Sequence, residues 1–134
     1  LQNSIIELSI AHTRRFACVL THPENNVGVD IESLGRNFSA VEKKAVRESE
    51  MDFLSEKPEV LRLQLALIWC VKEALFKYMS QPDVDYVEQI EVERFTPRES
   101  GEIDACFYQR DGLEESFTLE YKTLDDHVIV WLVG

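Results

Sequence analysis

Trp69-Cys70-Val71-Lys72-Glu73-Ala74-Leu75-Phe76-Lys77 is the second half of an apolar helical stretch, and it carries two lysines and a carboxylate where a buried helix should carry none. From Val60 to Met79 nearly every position is apolar, including Leu61, Leu63, Leu65, Leu67, Ile68, Val71, Leu75 and Tyr78. Apolar residues therefore run most of the way round the cylinder, which predicts a central helix rather than a peripheral one. Charges on such a helix must be paired, bound to metal or exposed to a cleft, because an unpaired buried ion costs several kcal/mol. Trp69, Glu73 and Lys77 recur every four residues and share one face, so an acid and a base point at one small volume. Taken alone, Glu73 and Lys77 also read as an ordinary salt bridge on a helix surface.

The second observation is Val27-Gly28-Val29-Asp30-Ile31-Glu32, a strand in which Val27, Val29 and Ile31 face one side and Gly28, Asp30 and Glu32 the other. Asp30 and Glu32 stand about 7 Å apart on that face, and Gly28 has no side chain to block close approach. If Glu73 faces the same point, three hard oxygen ligands surround one site, the pattern of a Mg²⁺ centre for phosphoryl transfer. Two acids alone read equally well as the solvated face of an edge strand. Lys72 and Lys77 flank Glu73, and His12 ends a strand expected beside Asp30. Carboxylates, lysines and a histidine around a divalent ion suit a pyrophosphate, whose leaving charge the cations neutralise. His12 by itself also reads as a satisfied structural histidine.

A chain of 134 residues with 45% apolar and 29% charged positions fits one globular domain, residues 1–134, with its own core. A net charge of −11 excludes the basic field of a general nucleic-acid binder. Cys18, Cys70 and Cys106 lie far apart inside apolar segments without ligand spacing, and read as reduced core thiols of a cytoplasmic protein. No stretch approaches the roughly 18 uncharged apolar residues of a membrane span, and the first ten residues lack a signal-type core. The start at Leu1, directly before a strand, suggests a fragment or processed form.

In order, strands are expected over Ile6 to Thr13, Phe16 to Thr21 and Val27 to Glu32. Ser39-Ala40-Val41-Glu42 has the capping-box pattern of a short helix. A second short helix is expected over Ser49 to Leu54, then the long helix, stopped by Ser80-Gln81-Pro82-Asp83. Four strands follow, roughly Tyr86 to Phe95, Glu102 to Tyr108, Glu115 to Tyr121 and His127 to Val133, joined by turns at Pro97 to Gly101, Asp111-Gly112 and Asp125-Asp126. Three strands, helices and four strands give an α+β fold, antiparallel sheet packed on one long central helix.

The pair Val27 to Glu32 and Trp69 to Lys77 resembles the two-part signature of the 4'-phosphopantetheinyl transferase superfamily. Ser9-Ile10-Ala11-His12-Thr13 is similar to the histidine motif of its longer, surfactin-synthetase-activator type. The likeness covers residues 9 to 77, and the 41 positions from Glu32 to Glu73 suit the family spacing. It implies the family half-fold and transfer of the phosphopantetheine arm of coenzyme A to a serine of an acyl, peptidyl or aryl carrier protein, as in holo-acyl-carrier-protein synthases, with release of adenosine 3',5'-bisphosphate. It implies Asp30, Glu32 and Glu73 as Mg²⁺ ligands and Glu73 as base for the carrier serine, directly or through water. It implies Lys77 at the leaving phosphate, and Lys72 and His12 as contacts to coenzyme A phosphates. Ala11 stands where the longer type usually has serine, and Cys70 replaces the commoner serine. The longer type is a tandem of similar halves, and this chain resembles the second alone, which implies pairing with a missing N-terminal half or assembly of copies.

Arg14, Arg15, Arg36, Lys43, Lys44 and Arg47, six of fourteen basic residues, fall between the histidine motif and the long helix. They border either the cleft, facing an acidic carrier protein, or plain solvent. Two rival classes stay open, a catalytically incomplete module that binds coenzyme A or a carrier protein and a metal-dependent phosphohydrolase; a purely structural interaction module is the weakest candidate. The interaction module leaves Glu73 and both lysines unexplained.

Overall fold

The computed structural model describes residues 6–134; Leu1, on which the fragment reading rests, lies outside them. Three strands come first, β1 (Glu7–His12), β2 (Ala17–His22) and β3 (Val27–Ser33). The helices α1 (Ser39–Ala45), α2 (Glu48–Met51) and α3 (Pro58–Met79) follow. The chain then returns as β4 (Ile90–Val92), β5 (Ser100–Tyr108), β6 (Glu114–Leu124) and β7 (His127–Val133). A five-stranded antiparallel sheet runs β3-β7-β6-β5-β4 and packs on α3, while β1 and β2 form a separate two-stranded hairpin. The expected α+β architecture is observed.

The punctuation of α3 follows its sequence. Pro58 takes the first turn, where its missing N–H costs nothing, so the helix begins two residues before Val60. Ser80 ends it in the left-handed conformation (φ 52°) and returns its N–H to the Phe76 carbonyl. Leu67, Ile68, Val71 and Leu75 bury completely in a core shared with Val128, Val130 and Leu132. Gly28 is where β3 crosses α3. A Cβ there would stand 2.0 Å from the Ala74 carbonyl oxygen, so glycine sets the closeness of strand and helix.

Three local expectations differ from the structure. Ser39 is the first residue of α1 rather than its cap, and its N–H goes to Asn37 Oδ1. The reciprocal glutamate sits one helix later, where Glu50 Oε1 accepts the Arg47 N–H, and α2 covers only Glu48–Met51. Strand β4 is three residues long, because Asp85 Oδ1 accepts the N–H groups of Val87 and Glu88 and holds residues 86–89 in a turn. In β1 the apolar set points away from the protein: Leu8 and Ile10 are more than half exposed, whereas Ser9 and Ala11 are buried. Small residues on the inner face let the hairpin backbone approach β3, where Ser9 Oγ accepts the Val29 N–H. Ala11, Val29 and Ile31 form a second small core there with Phe16, Leu20 and Trp131 around it.

Candidate active site

The expected face of α3 exists. Trp69, Glu73 and Lys77 look toward β3, and two of them touch its acids directly. Trp69 Nε1 donates to Glu32 Oε1 at 3.0 Å, and Lys77 Nζ lies 3.4 Å from Asp30 Oδ1. Lys77 also donates to the main-chain carbonyls of Ile10 (3.1 Å) and Val29 (3.0 Å). The strands β1 and β3 are neighbours without a ladder between them, and this ammonium bridges their backbones. His12 ends β1 as expected, opposite Ala17 in register, and its side chain is exposed.

Asp30 is the most perturbed acid of the group. Burial pushes its carboxyl up to about 7; Lys77 opposes the shift, while the charges of Glu32 and Glu73 add to it. Its Oδ2 is a buried oxygen with no hydrogen-bond partner. Glu73 is also raised, first by burial and then by Glu32, against hydrogen bonding to the Tyr86 hydroxyl and the charge of Lys77. Glu32 is further engaged by Arg36, whose Nη1 lies 2.9 Å from Oε1 and whose guanidinium covers the Trp69 ring at 5.5 Å. Fully buried, the Cys70 thiol is held well above its ordinary range, first by desolvation and then by the Asp30 charge.

The charges of Glu32 and Glu73 thus oppose ionisation of Asp30, and Asp30 keeps an orphaned oxygen. The hard-oxygen chemistry of this donor set fits a divalent cation. As the side chains stand, no group of three or more His, Cys, Asp or Glu among the described residues is close enough to hold a metal ion. Glu32 is turned to Trp69 and Arg36. Asp30, Glu32 and Glu73 would hold the ion once their carboxylates converge.

Lys72 is not brought to this group. Its side chain is fully buried, and Nζ donates to Glu50 Oε1 (2.8 Å), to the Tyr86 carbonyl (2.9 Å) and to the Ala45 carbonyl. All three N–H groups are spent, so the expected coenzyme A phosphate contact does not fit this arrangement. The expected basic border is also divided. Arg15 pairs with Asp125 and Asp126, Arg36 with Glu32, and Arg47 donates to the Val87 and Glu88 carbonyls. Of the cysteines, Cys70 is a core thiol, but Cys18 and Cys106 are half-buried; all three are free. Among the described residues no helix is long and apolar enough to cross a membrane.

Tyr86 and Glu50 are the participants that sequence reasoning missed. Neither has a local signal: each stands outside α3 and reaches it only through the folding of the chain.

Fold and site define an α+β protein with carboxylates and a lysine gathered at a seam between helix, sheet and hairpin. The family model described as the 4'-phosphopantetheinyl transferase superfamily matches residues 26–131, and the chain belongs to that superfamily. The matched range contains both acidic motifs and begins after the hairpin that carries His12. No curated protein matches the sequence.

Proposed function

We propose that the protein catalyses Mg²⁺-dependent transfer of the 4'-phosphopantetheine arm of coenzyme A to a serine of an acyl or peptidyl carrier protein, releasing adenosine 3',5'-bisphosphate. The observation that carries this reading is Asp30, a buried carboxylate with an orphaned oxygen between Lys77 and the charges of Glu32 and Glu73. Such an acid needs a cation, and a phosphorylated co-substrate accounts for the lysine beside it.

Bound Mg²⁺ supplies charge neutralisation at phosphate oxygens. Asp30, Glu32 and Glu73 hold it. Glu73, raised by burial, takes the proton of the carrier serine directly or through water. Lys77 stabilises or protonates the leaving phosphate. Its 3.4 Å contact with Asp30 is long for a charge-assisted hydrogen bond, so it is the contact a phosphate oxygen most easily replaces. His12, exposed at the end of β1, contacts another phosphate of coenzyme A. With Lys72 and three arginines engaged elsewhere, the adenine nucleotide needs further basic groups. We place the chain as the second half of a two-half enzyme, completed by an N-terminal half or by other copies. Three free cysteines suit a cytoplasmic location.

A second reading, a module that binds coenzyme A or a carrier protein without transfer, is favoured by the burial of Lys72 against Glu50, away from any phosphate. Intact-mass spectrometry of an apo acyl carrier protein incubated with the chain and coenzyme A, with and without Mg²⁺, separates the two. Transfer gives a metal-dependent gain of one phosphopantetheine, lowered by about 10²–10⁴-fold in Glu73→Gln. Coenzyme A binding without any gain favours the incomplete module, and full activity in Glu73→Gln or Asp30→Asn overturns the transferase reading.

A further inference from the structure

A second cluster of polar side chains lies away from the carboxylates, where the turn joining β1 to β2 meets the turn joining β6 to β7. His127, 2% exposed, is enclosed there. Its Nε2 lies 3.0 Å from Thr13 Oγ1, and its Nδ1 lies 2.9 Å from Asp126 Oδ1. Phe16 meets the imidazole edge-on, with 4.8 Å between ring centroids. Arg15 closes the outside of the cluster, its Nη1 donating to Asp126 Oδ1 at 2.9 Å.

Donor counting orders this chain of bonds. Thr13 Oγ1 accepts the N–H groups of Arg15 and Phe16, each at 3.3 Å, which occupies both of its lone pairs. Its hydroxyl hydrogen remains, and goes to His127 Nε2. That nitrogen is then the acceptor of the ring, so Nδ1 carries the ring hydrogen and donates it to Asp126. The three residues form one directed relay, and its central ring is buried, where an unmade hydrogen bond costs most. The exposed Arg15–Asp126 pair contributes little beside it.

What the relay holds is the end of β1. His12 pairs with Ala17 in the last step of the hairpin, and Thr13 closes the turn by donating its N–H to the Phe16 carbonyl at 2.8 Å. No ladder joins the hairpin to the large sheet. Ser9 and Lys77 tie the middle of β1 to β3, and the Thr13–His127 bond ties its end to β7.

We infer that His127 is a positioning residue for His12: through Thr13 it fixes the turn that presents the exposed imidazole of His12 to a phosphate of coenzyme A. The identity of that ligand rests on the proposed function; the placement is a property of the folded chain.

The test is His127→Phe, which keeps a ring against Phe16 and removes both hydrogen bonds, beside Thr13→Val and Thr13→Ser, which delete and keep the hydroxyl. Placement is read without ligand, from the histidine resonances of ¹⁵N-histidine-labelled protein. The chain has three histidines, and His22, paired with Glu7 at the opposite end of the hairpin, is the internal reference. In the wild type the ring hydrogen of His127 is expected on Nδ1. In His127→Phe the His12 resonances should move while those of His22 stay. Calorimetry with coenzyme A should give a Kd raised about tenfold in His127→Phe and Thr13→Val, as the loss of one hydrogen bond to a charged group costs. Thr13→Ser should restore it, and kcat at saturating coenzyme A should stay within twofold. In a His12→Ala background His127→Phe should cost nothing further. If His127→Phe does not fold, the Thr13 pair carries the binding comparison in both backgrounds. Unmoved His12 resonances, or a loss that persists in full without His12, overturn the inference. A wild-type chain that binds no coenzyme A overturns the functional reading, and the histidine resonances then decide the role of His127.

Discussion

Lys77 Nζ lies 3.4 Å from Asp30 Oδ1 while also donating to the Ile10 and Val29 carbonyls, so one ammonium faces the acidic site and joins the hairpin to the sheet. Lys77→Met keeps the apolar stem and removes these bonds. Hydrogen bonds to a charged group are worth about 1.5–3 kcal/mol, and the expected loss of stability is of that size. Hydrogen exchange should localise it, with faster exchange at β1 and β2 and little change in β5 and β6. Uniform acceleration over the whole sheet would contradict the bridging role.

Asp30 predicts an inverted pH dependence. Its carboxyl is raised from an ordinary value of 3.8 to about 7. Below about pH 4 it is protonated in the folded and unfolded chain alike, and contributes nothing. Between about pH 4 and 7 the unfolded chain releases the proton that the folded chain keeps, so stability falls as pH rises. Above about pH 7 the full cost stands, on the order of 4 kcal/mol. Asp30→Asn should therefore stabilise the metal-free protein at pH 8 and leave it nearly unchanged below pH 4. Urea unfolding at the two pH values measures the difference, and a variant equally stable relative to wild type at both would refute the assignment.

The same reasoning gives a metal signature. A divalent cation binds the ionised carboxylates, so Mg²⁺ should raise the melting temperature more at pH 8 than at pH 5, by linkage to its occupancy. Chelation should reverse the gain. Glu73→Gln and Asp30→Asn should each reduce it, and an equal gain in both variants would place the ion elsewhere.

Lys72 predicts a stability effect of a different kind. Lys72→Met leaves Glu50 charged, buried and unpaired, which costs about 3–5 kcal/mol. Adding Glu50→Gln removes that charge and keeps an oxygen for the Arg47 or Val92 N–H, so the double variant should recover more than half of the loss. Denaturant unfolding of the three proteins forms the cycle. A double variant as unstable as Lys72→Met would mean that the ion pair is not the origin.

Much of the fold was legible in local pattern. The apolar wrap of α3, Ser80 at its end, and the period of two in β3 are short-range properties, and each produced its element. The Trp69–Glu73–Lys77 face was legible for the same reason, since four-residue spacing fixes direction on a helix whatever surrounds it. Lys72 carried a readable warning: five residues from Lys77, it points about 140° away at 3.6 residues per turn. Its proximity to Glu73 in sequence placed it in the site, and helical geometry takes it out.

What the sequence by itself determined is the set of elements, the residues sharing each face, and a signature that places the chain in its superfamily. Only the tertiary structure decided where those faces meet. It turned Leu8 and Ile10 of β1 outward because Ser9 and Ala11 allow the closer approach to β3. It gave Lys72 to Glu50 and to the Tyr86 carbonyl. The physical reason is that burial and pairing depend on groups brought together from distant positions, 22 residues apart for Glu50 and Lys72. Local periodicity holds no information about such partners.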